Sequence, residues 1–224
     1  MLPGFANGAN CRFRHSDWPF LPACPDGVGC IVLPGFYDGF RFYGMASVMS
    51  DLTVSKHFVQ AALGGAERLG FDTREMLREA GISPDLLRIE MARVSSDQFS
   101  HLMQVLWNRM GDEFMGLGPR RARTGTFATM CALVIDCPNL ESVYRQAFQF
   151  SRLFEPMVSM ELEIGEDKAR LVARMEGEIN DPSFFLRESI LVIWHRLGSW
   201  LIGQPIELEK AEFDYPRPPH GDEY

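Results

Sequence analysis

The sequence predicts an α+β domain: a helix-rich first half, then an antiparallel β-hairpin, a long packed helix and a further strand. Three observations carry this. Between Ser55 and Phe154 the apolar residues recur at the helical period, in segments bounded by capping residues. From Val158 to Met175 the period becomes two, around the turn Gly165-Glu166-Asp167-Lys168. After Asp181-Pro182 the helical period returns for one long segment, and an extended stretch follows it.

Taken in order, the first 48 residues stand apart. Residues 1–44 contain no Lys and no Glu, and three Arg (12, 14, 41) balance three Asp (17, 26, 38). Gly, Pro, Phe and Cys crowd the stretch, and neither period persists. Residues 1–48 are therefore expected to be an irregular extension, with translation beginning at Met45 or Met49, and residues 49–224 form the domain. Cys11, His15, Cys24 and Cys30 do not reproduce the paired C-x2-C spacing of a zinc site.

A helix is predicted from Ser55 to Leu69, with Ser55 as cap and Phe58, Ala62, Ala66 and Leu69 along one side. Asp72 with Glu75 resembles a capping box, and Gly81 ends the helix that it opens. Ser83-Pro84 starts another, because proline at the first helical position sacrifices no hydrogen bond. Ser95 and Gln98 form a second capping box, Val94 staples onto Phe99, and Phe99, Leu102, Met103, Leu106 and Met110 make the buried face. Gly111 closes that helix.

From Gly116 to Phe154 the chain reads as an arginine-bearing loop, a short helix over about Phe127–Ile135, a break at Cys137-Pro138-Asn139, and a second helix capped by Asn139. In the hairpin, Val158, Met160, Leu162 and Ile164 alternate with polar residues, answered by Ala169, Leu171, Ala173 and Met175. The long helix carries Leu186, Ile190, Ile193, Leu197 and Leu201 as its stripe. Ile206–Tyr215 is predicted as the further strand, with a bulge near Lys210.

Bulk properties limit the function. The chain has 224 residues and a net charge of −8, which repels a phosphate backbone and makes it a poor nucleic-acid binder as it stands. No segment approaches the roughly 20 apolar residues of a membrane helix, and no signal segment opens the chain. Five cysteines, two of them on or beside buried helices, point to reduced thiols and a cytoplasmic setting. No metalloprotease, nucleophile-elbow, phosphate-loop or dinucleotide fingerprint occurs, and His57, His101 and His195 lie on separate helices.

The run Cys137-Pro138-Asn139-Leu140-Glu141-Ser142-Val143-Tyr144-Arg145-Gln146-Ala147 resembles the N-terminal effector domain of AraC/XylS-type bacterial transcription regulators, in the arabinose-binding-like branch. Leu77–Leu87 and the tail from Pro205-Ile206-Glu207-Leu208 through Phe213-Asp214-Tyr215-Pro216 to Pro219 extend the resemblance, in the family's order, over about Met49 to Tyr224. The resemblance implies a small-molecule sensor that homodimerises and uses no cofactor. It also implies that DNA is bound through helix-turn-helix units beyond the last residue, Tyr224. A metabolite enzyme and a purely dimerising module are the rival classes.

The residues themselves offer one candidate site. Arg121 and Thr124 stand at the start of the helix near Phe127, whose N-terminus favours negative charge, and Arg152 lies one helix away. Tyr144, Phe148 and Trp194 supply amphipathic walls. The expectation is an anionic or zwitterionic effector held by Arg121, Thr124 and Arg152 against these walls; the plainer alternative is a solvated basic loop and an aromatic core.

Overall fold

The computed structural model describes residues 53–154, 157–165, 168–218 and 220–221. The expectations for residues 1–48, and for Cys11, His15, Cys24 and Cys30, lie outside the described residues.

The fold begins with a small ladder that launches two helices. Strand β1 (Thr53–Ser55) pairs antiparallel with β2 (Arg93–Ser95), Val54 opposite Val94. Helix α1 (Lys56–Arg68) leaves directly from β1, and α3 (Ser96–Met110) directly from β2. The two helices therefore pack together by construction. Between them lie α2 (Thr73–Glu79) and a 3-10 turn, Pro84–Arg88. Asp72 caps α2 by accepting from Glu75 N, Pro84 opens the turn, and Gly81 is left-handed at φ +72°. The Ser95–Gln98 capping box is complete in both directions, and Val94 and Phe99 are both buried.

Helix α4 (Thr126–Val134) and α5 (Leu140–Ser151) follow, with Asn139 accepting from Ser142 N at 2.9 Å. Strands β3 (Val158–Ile164) and β4 (Ala169–Met175) form the hairpin in the expected register, Leu162 opposite Leu171. Helix α5 packs on β3, and α6 (Phe185–Leu201) packs on β4 and α1. Among the described residues the chain is thus α+β, with six α-helices and two two-stranded sheets. One continuous core runs from Val59 to Leu197.

Four expectations change. Ser55 occupies the cap position of α1, but its hydroxyl makes no capping bond. The buried face of α1 is Val59, Ala62, Leu63 and Ala66, while Leu69 is half exposed; the helix is rotated because the β1–β2 ladder fixes its start. Asp181 caps α6 from a distance, its carboxylate accepting from Leu186 N at 2.8 Å, so the helix starts at Phe185 and not at Pro182. Residues 206–215 join no ladder among the described residues. Side chains hold this segment instead: Ile206 N donates to Ser199 Oγ, Lys168 pairs with Glu209, and Arg187 with Asp214. Leu208 and Phe213 stay exposed, so the alternating pattern has no second layer to bury against.

Candidate functional site

Tyr144 and Phe148 on α5 and Trp194 on α6 do come together. Phe148 and Trp194 meet edge to face at 5.0 Å, Tyr144 lies 6.2 Å from Trp194, and Phe127 approaches the same indole at 6.3 Å. Tyr144, Phe148 and Trp194 are all buried. The Tyr144 hydroxyl donates to the Trp194 carbonyl at 3.2 Å, and burial pushes its pKa up to about 12. The cluster joins α5 to α6.

The polar candidates are placed differently. Arg121 and Arg152 are exposed, and Thr124 donates its hydroxyl to the Trp107 carbonyl at 3.0 Å, tying the loop to α3. Two acids that the sequence did not single out organise this loop. Asp112, buried at the end of α3, accepts from Phe114 N, Gly116 N and Ala122 N. Glu113 accepts from Gly125 N at 2.7 Å and Phe127 N at 3.1 Å. Its carboxylate therefore occupies the positive end of α4. Burial raises the Glu113 pKa, and those backbone donors oppose the rise. The signal in the sequence was the adjacent acid pair immediately after Gly111.

A concave feature lies elsewhere along α6, around Phe185, Glu188, Ser189 and Val192. Ser55, Phe58, Arg93, Phe99, Phe185 and Glu188 line a cleft of about 200 Å³ between β1, β2, α1, α3 and α6. Phe99 and Phe185 meet edge to face, and Phe58 tilts against Phe185, so the walls are aromatic. Ser55 is buried, and its hydroxyl has no hydrogen-bond partner among the described residues. Arg93 stands exposed at the rim, its Nε donating to Thr53 Oγ1 and its Nη2 to the Thr53 carbonyl.

Glu188 is the most unusual member. It is 4% exposed and is the only acid in α6, whose other residues are apolar or basic apart from Ser189, Gly198 and Ser199. Its Oε1 accepts from the Tyr215 hydroxyl at 2.9 Å and lies 3.1 Å from His220 Nε2. His220 in turn stacks on His57 at 4.0 Å, and Tyr215 stacks on Phe184 at 3.9 Å. Burial and the Glu188 carboxylate push the Tyr215 pKa strongly upward, keeping its hydroxyl a donor. The polar centre of the cleft wall is thus also the anchor of the C-terminal segment. A lone acid inside an apolar helix was the readable sign.

No group of three or more metal-ligating side chains occurs among the described residues, and none of their helices is long and apolar enough to cross a membrane. The chain is 21% identical over 168 residues to an ornithine utilization regulator of Pseudomonas aeruginosa, covering 75% of this chain and 50% of that protein. It spans about half the length of that relative. No solved structure matches the chain. The family model described as the arabinose-binding domain of AraC transcription regulators, N-terminal, matches residues 70–224, and the chain belongs to that family of effector-binding domains.

Proposed function

We propose that this chain is the sensing part of a cytoplasmic transcription regulator. A small anionic or zwitterionic molecule binds it and controls DNA binding by helix-turn-helix units outside these 224 residues. It acts as a homodimer and performs no catalysis. The observation that carries this is the family match across residues 70–224. The net charge of −8 supports it, since DNA contact then has to come from elsewhere.

Two places compete for the effector. The first is the loop carrying Arg121 and Thr124, with Arg152 and the Tyr144–Phe148–Trp194 wall. An anion there has to displace Glu113 from the start of α4, which weakens that choice. The second is the cleft bounded by Ser55, Arg93 and Glu188, which offers both signs of charge beside aromatic walls. We favour the cleft. The relative's name concerns ornithine utilization, so amino acids, ornithine first, are the natural opening probes.

The test is a melting screen against a broad metabolite collection. A sensor gains roughly 2.7 kcal/mol at a hundredfold excess over Kd. No stabilisation by any compound leaves only the dimerising module, and turnover of a bound metabolite favours the enzyme class. Sequence-specific DNA binding by this chain alone overturns the division of labour.

A further inference from the structure

Resting on that sensing role, we infer that the cleft takes an ammonium-bearing carboxylate of amino-acid type, and that Glu188 couples its occupancy to the C-terminal segment. Three observations converge. The cleft wall holds a buried carboxylate, Glu188, and a buried hydroxyl, Ser55, that has no partner among the described residues. A buried carboxylate in an aromatic pocket selects a cation, because an approaching anion meets repulsion that no water screens. The volume of about 200 Å³ is below the roughly 300–1,000 Å³ of drug-sized sites and limits the ligand to a small metabolite.

The orientation follows from where the charges stand. Glu188 lies within the wall and Arg93 at the rim, so the ammonium enters first and the carboxylate remains near the guanidinium. Phe58, Phe99 and Phe185 cover the carbon skeleton, and aromatic faces also favour the cation. Ser55 offers a buried hydroxyl that makes no hydrogen bond among the described residues, so a ligand donor or acceptor there gains a bond without breaking one.

The coupling comes from what Glu188 already holds. Its Oε1 accepts the Tyr215 hydroxyl and faces His220, and these two residues bracket the described end of the chain. A ligand ammonium on the same carboxylate shares its charge and loosens both contacts. Occupied cleft and anchored tail are thus alternatives, and reciprocity requires that loosening the tail strengthens the ligand. Phe184 fits this role as the hinge residue: it is left-handed at φ +59° and stacks on Tyr215, so release of the ring removes the contact that holds a strained backbone.

The experiment uses the full chain and calorimetric titration with the standard α-amino acids, each beside its decarboxylated amine and its deaminated acid. At least one amino acid is expected to bind on the order of tenfold or more tightly than either truncated partner. Glu188→Gln and Ser55→Ala should each weaken it tenfold or more, while circular dichroism reports an intact fold. Tyr215→Phe should tighten binding several-fold, and hydrogen exchange over residues 213–221 should rise on ligand addition. Affinity unchanged in both Ser55→Ala and Glu188→Gln overturns the site, and Ser55→Ala decides alone if the other variant misfolds. Unchanged affinity in Tyr215→Phe together with unchanged tail exchange overturns the coupling. If a compound of other chemistry binds and survives Glu188→Gln, this site falls while the sensing role stands. If nothing of any class binds, both fall.

Discussion

Gly65 of α1 lies directly against the Met115 carbonyl oxygen, with no room for a side chain between them. Its neighbour Gly64 has nothing among the described residues within 4 Å of where a Cβ would stand. Two adjacent glycines in one helix thus have opposite reasons. Gly65 permits the loop after α3 to close over α1, and Arg68 fixes that approach by donating to the Gly116 carbonyl and, at 3.3 Å, to that of Asn180.

Gly64→Ala should therefore stabilise the domain by about 0.5–1 kcal/mol, because alanine is the better helix former and meets no obstacle. Gly65→Ala should destabilise it by about 1–3 kcal/mol, since a backbone carbonyl, unlike a side-chain tip, has nowhere to go. Paired thermal melts check this, at roughly 2–4 °C per kcal/mol for a chain of this size. Shifts of the same sign in both variants refute the assignment.

A third glycine tests a softer contact. A methyl on Gly198 would strike the Tyr144 hydroxyl, which is the far end of a side chain. Gly198→Ala and Tyr144→Phe should each destabilise, the second by losing the bond to the Trp194 carbonyl. Together they should cost less than their sum, by about 0.5–3 kcal/mol, because removing the hydroxyl opens the space that the methyl needs. A double-variant cycle by urea unfolding measures the difference; strict additivity would falsify the contact.

Glu113 sets a pH dependence with a definite sign. Its folded pKa is raised above the ordinary 4.5, first by burial. A raised carboxylate contributes stability that is fully present below the unfolded value and is lost as pH rises through the folded one. Asp181, also raised chiefly by burial, acts in the same direction. Wild type should thus gain on Glu113→Gln as pH is lowered from neutrality towards 4.5. Urea melts of both proteins across that range decide it, and a wild type that loses stability relative to the variant towards acid contradicts the argument.

The two described thiols should differ in reactivity from an ordinary cysteine. Burial pushes Cys131 up to about 12, aided by the Glu113 carboxylate, and raises Cys137 as well. Only thiolate reacts quickly. Near the ordinary thiol pKa of about 8.5, iodoacetamide should leave Cys131 unmodified in the folded chain and label Cys137 more slowly than in urea. Peptide mass spectrometry reads both sites; rapid labelling of Cys131 means that α4 opens.

Local chemistry alone determined most of the elements. Asp72, Ser95 and Asn139 cap the helices that they precede because a short polar side chain reaches its own nearby N–H groups, whatever lies elsewhere. The hairpin register follows from the turn at Gly165 and an alternation that only one pairing buries on one face. What depends on distant partners was not legible. The β1–β2 ladder has three residues on each side, too few to show a period, and its partners lie 40 residues apart. That ladder turned α1 and left the Ser55 hydroxyl uncapped in the cleft. Residues 206–215 carry a strand's alternation, but a strand needs a neighbour's backbone, and side-chain ties took its place. Arg121 and Thr124 precede the start of α4 in the chain, yet only the tertiary structure decided that Glu113 would occupy that helix start. The same holds for Glu188: the sequence shows an acid in an apolar helix, and only packing brings Tyr215 and His220 to it across 27 and 32 residues of chain.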